Sequence, residues 1–261
     1  LTSGPGNTVV GFEAGTTLTT GSNNTILGYQ AFNAMDTGNE NVAIGKNALG
    51  AATHDSCNYN ICIGTDAGNG IADVAVANCV IIGGLASDAA MTAAAAGTIA
   101  IGKSALSALT SGERNTAVGF EALKVEVTGD RSTAVGYKAL VAQTGTDGEA
   151  NNTAIGHQAG LAITTGLRNT IIGSNTGNAF DAETDNIFIG YAAAEGAING
   201  ADKCVVVGNN AFTGAATQDG TIAIGHQSLA ALTSGAGNTA MGYQAADGIT
   251  TGANNTIIGY E

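Results

Sequence analysis

One phrase returns from end to end of this chain. It reads NTAVGFEAL from Asn115, NTAIGHQAG from Asn152 and NTAMGYQAA from Asn238. Aligned on the glycine that closes each aliphatic-Gly pair, the copies fall at Gly11, Gly28, Gly45, Gly64, Gly83, Gly102, Gly119, Gly136, Gly156, Gly173, Gly190, Gly208, Gly225, Gly242 and Gly259. Successive spacings run from 17 to 20 residues, so residues 1–261 read as a single repeat array. A period of this length marks a solenoid, because one unit is too short to bury its own apolar face and must stack on its neighbours.

Taking each glycine as position 0, position −1 is always a large aliphatic or Met: Val10, Leu27, Ile44, Ile63, Ile82, Ile101, Val118, Val135, Ile155, Ile172, Ile189, Val207, Ile224, Met241 and Ile258. Position −2 is also apolar, and often Ala. Side chains alternate along a strand, so adjacent apolar positions predict a short strand covered on both faces. The aliphatics from Ile44 to Ile224, with Ile258, are therefore the expected structural core. Position +3 is Ala in twelve of fourteen copies, and a polar corner such as TTGSN or TSGERN follows. Glycine supplies positive φ in such corners, and Asn tolerates it. The stretch after each glycine, HQSLAALTSG for example, also has spacing that a short helical turn satisfies. The expected fold is mainly β: a β-solenoid or β-roll of about 15 rungs, with short helical turns an open alternative.

Two explanations fit the recurrent small residues. Gly and Ala either fill a narrow interior within one chain, or line a crowded symmetry axis on which three chains pack. Two-sided burial favours the second, since a solitary sheet layer leaves one strand face wet.

The phrase N-T-A-I-G-x-x-A resembles the repeat of trimeric bacteriophage tail fibres. It is also similar to the head repeat of trimeric autotransporter adhesins, S-x-A-I-G-x-x-A/S, although those repeats are typically shorter. The resemblance covers nearly the whole chain. It implies an elongated parallel homotrimer, non-catalytic, located on a virion or at an extracellular cell surface and serving attachment. Implied partners are further copies of the chain, other fibre or anchor segments, and a host-surface receptor or glycan. Both chain ends lie in repeat register without the atypical capping units of a complete solenoid, so a shaft within a longer protein is expected.

Composition narrows the alternatives. The formal net charge is −13 with only 8 Lys and Arg, which disfavours binding to nucleic acid through phosphate neutralisation. No run of about 18 apolar residues is present for a helix to span a bilayer. The 21 carboxylates are scattered through corners, no pair stands out as glycosidase machinery, and there is no Trp to stack on sugars. An enzyme is not expected, nor a cofactor. TGTDGEANN (144–152) and FDAETDN (180–186) match neither the EF-hand loop nor the nine-residue calcium repeat. His157 and His226 take the position held in other copies by Tyr29, Phe120, Tyr137, Tyr191 and Tyr243, and no His-x-His pair exists for an axial metal. Of four cysteines, only Cys57 and Cys79, in corners of adjacent repeats, form a plausible disulfide; CNYNIC lacks further ligands for zinc.

A third class stays open. Thr recurs two residues before the aliphatic, at 8, 25, 116, 133, 153, 170, 239 and 256. Outward ranks of this kind would suit an ice-binding or other monomeric solenoid; inward ranks would exclude it. Recognition in a fibre is expected in the longer corners near residues 50–60, 69–78, 88–97 and 144–151.

Overall fold

The computed structural model describes residues 4–71, 75–92, 95–145, 148–196, 200–215, 217 and 219–261. The corners expected near 69–78, 88–97 and 144–151 lie partly outside them. The chain divides into two compact units, Leu1–Arg131 and Ser132–Glu261.

In the first unit the repeat phrases form β1 (Thr8–Val10), β2 (Thr25–Leu27), β3 (Val42–Ile44), β4 (Ile61–Ile63), β5 (Val80–Ile82), β6 (Ile99–Ile101) and β7 (Thr116–Val118), with a two-residue β8 (Gly129–Asp130) in a corner. In the second they form β9 (Thr133–Val135), β11 (Thr153–Ile155), β12 (Thr170–Ile172), β13 (Ile187–Ile189), β14 (Val205–Val207), β15 (Ile222–Ile224), β16 (Thr239–Met241) and β17 (Thr256–Ile258), with β10 (Gly148–Glu149) in a corner. Within each unit every phrase strand pairs in parallel with the next, equivalent residues opposite each other, as Thr153↔Thr170 and Ile155↔Ile172. Each unit is thus an all-strand parallel β-solenoid, and no α-helix occurs among the described residues.

The helical alternative fails for a backbone reason. After each glycine the sign of φ alternates: Gln30 and Phe32 at +52°, Leu49 at +52° and Leu106 at +50° all sit in the left-handed region. An α-helix needs consecutive right-handed residues, so the alternation makes a flat chain of turns instead. Each left-handed non-glycine residue costs roughly 1–2 kcal/mol. Bonds between rungs offset it: the Gln30 N–H donates to Phe12 O at 2.9 Å in the preceding rung, and the Phe32 N–H to Ala48 O at 3.0 Å in the following one.

The expected core is corrected by one residue. Position −2, the middle of each strand, points inward: Ile26, Ala43, Cys62, Ile81, Ala100, Ala117, Ala134, Ala154, Ile171, Phe188, Val206, Ala223 and Ala240 are fully buried. Position −1 points outward. Ile44, Ile63, Ile82, Ile101, Val118, Val135, Ile172, Ile189, Val207 and Ile224 are half-exposed in the single chain, and Ile155 and Ile258 are exposed. The reason is the two-residue period of a strand, which places these neighbours on opposite faces.

The interior is completed from positions +3, +4 and +7, for example Ala48, Leu49 and Leu18. In several rungs a small residue accompanies a large one. Strand-centre Ala43, Ala100, Ala117, Ala134 and Ala223 share their rungs with Leu49, Leu106, Leu123, Leu140 and Leu229 at +4, whereas Phe188 shares its rung with Ala194; Ile26 with Phe32 and Val206 with Phe212 are large at both positions.

The small residues are explained inside one chain. A Cβ added at Gly190 would lie 2.7 Å from the carbonyl carbon and oxygen of Gly208 in the next rung, and φ there is +138°. The alanines at +3 are buried in their own solenoid.

Candidate functional site

The outward sheet face has a distinctive chemistry. It carries two ranks, positions −3 and −1, and neither contains a charged residue in any rung. Position −3 alternates between Thr (8, 25, 116, 133, 153, 170, 239, 256) and Val or Ile; none of these threonines is buried. The hydroxyls therefore face outward beside an aliphatic rank whose exposure is 42% at Met241, 56% at Val10 and 71% at Ile258.

Position +1 borders this face. Phe12 and Tyr29 stack at 5.5 Å between centroids, Tyr137 and His157 at 5.1 Å, His226 and Tyr243 at 5.3 Å, and Tyr243 and Tyr260 at 5.1 Å, all with planes within 12° of parallel. In-register strands repeat at ~4.8 Å, so identical positions become ladders of stacked rings. His157 and His226 are members of this ladder. The rank's aromatic character was legible in the sequence; its continuity as a stack required the register.

Charge is confined to turns and corners. Asp130 Oδ1 accepts the Glu113 N–H at 2.8 Å, and Asp202 Oδ1 accepts the Thr184 N–H at 2.7 Å, so these carboxylates cap the adjoining rung. Arg168 Nε and Nη2 donate to the two carboxylate oxygens of Asp185 at 2.6 and 3.0 Å. This hydrogen-bonded pairing holds the Asp185 carboxyl below its usual range. Among the described residues no group of three or more His, Cys, Asp or Glu side chains is arranged to hold a metal ion. The TGTDGEANN stretch includes Thr146 and Asp147, outside the described residues.

Cys57, Cys62, Cys79 and Cys204 are buried as thiols, and no Cys57–Cys79 disulfide is formed. Burial pushes the Cys57, Cys79 and Cys204 thiols up, which disfavours the reactive thiolate.

Position −4 was missed by sequence reasoning, which read its Asn as corner chemistry. Asn24, Asn41, Asn60, Asn115, Asn152, Asn169, Asn186 and Asn238 are fully buried. Asn169 Oδ1 accepts the Asn186 N–H at 3.0 Å, while its Nδ2 donates to Glu183 O at 2.8 Å in the same neighbouring rung. Asn152 repeats the pattern on Asn169 and Gly166. The signal available was Asn in ten of fifteen copies, with only Ser, Thr and Cys replacing it.

Comparison with known protein families, curated proteins and solved structures finds no match for this chain.

Proposed function

We propose that this chain forms the shaft of a homotrimeric, non-catalytic attachment fibre, of the phage tail-fibre kind or of the autotransporter-head kind, on a virion or cell surface. The observation that carries the reading is the uncharged aliphatic outer face. Contiguous apolar surface of this sort marks an interaction site. Copies of a chain bearing −13 charges repel each other generally, and this is a face on which they meet without opposing charge. Identical rungs also make the face self-complementary, since the aliphatic rank of one copy matches the spacing of the next. The repeat resemblance points the same way. Anchor segments and a host receptor or glycan would be the further partners.

The outward threonines favour a second reading, in which a monomer presents Thr and aliphatic ranks to ice. Mass in solution, measured by light scattering, separates the two. The fibre reading expects three times 25.5 kDa. A monomer across the accessible concentration range overturns it, and thermal hysteresis in that monomer would establish the ice binder.

A further inference from the structure

The ring ladder is interrupted twice in the second unit, and the interruptions flank one exposed ring. Along position +1 the order is Tyr137, His157, Ser174, Tyr191, Asn209, His226. Consecutive members are locked in direct register by backbone bonds: Asn175 N–H to His157 O at 2.9 Å, Ala192 N–H to Ser174 O at 3.0 Å, Asn210 N–H to Tyr191 O at 2.9 Å and Gln227 N–H to Asn209 O at 3.1 Å. Tyr191 therefore stands one rung from Ser174 and one from Asn209, and the residue is 52% exposed.

We propose that Tyr191 forms two notches, with His157 over Ser174 and with His226 over Asn209, each of which holds one pyranose ring of a glycan. The proposal rests on the attachment reading and names the ligand class. Omitting one ring leaves about two rung spacings, roughly 10 Å, between the bounding rings. That is the room one further ring takes in the unbroken ladder, where neighbouring centroids lie 5.1 to 5.5 Å apart, so a single six-membered ring fits between the walls. Pyranose C–H groups carry partial positive charge and suit the negative faces of aromatic rings. The floors are polar: Asn209 Oδ1 already accepts the Tyr191 N–H at 2.9 Å, leaving its Nδ2 to donate to sugar hydroxyls, and Ser174 supplies a hydroxyl.

The test is saturation-transfer NMR on the full chain with methyl glucoside, methyl galactoside and methyl N-acetylglucosaminide, and with mannitol as an open-chain polyol. At least one pyranoside is expected to bind and mannitol not. Tyr191→Ala is expected to weaken binding about tenfold, the equivalent of one lost ring contact. The paired change Ser174→Tyr and Asn209→Tyr completes the ladder with a residue native to this position, so the solenoid is kept while the notches are filled and binding is lost. Binding of none of the pyranosides, equal binding of mannitol, or binding that survives the filled ladder overturns the proposal. Light scattering on the same samples keeps the two readings apart: a trimer without sugar binding sinks only the notches, and a monomer that binds sinks only the trimer.

Discussion

Asn169 joins two rungs with one side chain. Its amide oxygen satisfies a buried N–H and its amide nitrogen a buried C=O, both in the rung above. No apolar residue of similar size supplies both functions, and a buried unpaired backbone group costs about 1–3 kcal/mol. Asn169→Ala is therefore expected to destabilise the fold by about 2–4 kcal/mol, read as a lowered urea midpoint. An unchanged midpoint would mean that water or a shifted backbone replaces the ladder. The glycine beside each strand is required for a different reason. Gly190 combines positive φ with a neighbouring backbone that leaves no room for a Cβ.

At the scale of the element, a rung is a strand of three residues followed by turns of alternating hand, and its contacts run to the rungs before and after. Backbone bonds leave it in both directions, as from Gln30 and Phe32. Stability in such an array is close to a sum of nearest-neighbour terms. Removing residues 226–242, one whole repeat of 17, should leave a folded solenoid with one rung fewer, because Gly225 then precedes Tyr243 just as it now precedes His226. Removing only residues 226–233 breaks the register there and should cost the rungs beyond Gly225 their stacking, giving a larger loss of β-sheet signal and a lower melting temperature than the whole-repeat deletion. Circular dichroism of the two deletions provides the comparison, and equal melting of both would contradict nearest-neighbour stacking.

At the scale of the whole molecule, the proposed trimer turns on which surface meets other copies. On that reading the outward rank is the face on which a single charge has the largest effect on assembly and a small one on folding, since its side chains already touch solvent in the single chain. Under the proposal, Ile172→Lys should leave the β-sheet spectrum intact and give species smaller than a trimer in light scattering. Retention of a trimeric mass would place the contact on another surface.

Periodicity alone determined that this chain is a stack of parallel rungs, because a 17-residue unit with adjacent apolar positions has no other way to bury them. It also placed the strands, the glycine turns and the confinement of charge to turns and corners. Two things waited for the tertiary structure. One was which member of each apolar pair faces inward: Ala154 and Ile155 are both apolar, and only the direction in which the chain closes after Gly156 decides that Ala154 is buried and Ile155 is not. The other was everything that depends on residues 17 to 20 apart becoming neighbours, including the buried asparagine ladder, the pairing of Phe188 with Ala194, and the ring stack with its notches. Sequence reports composition at a position, but register converts a column of like residues into a ladder, and the ladder carries the chemistry.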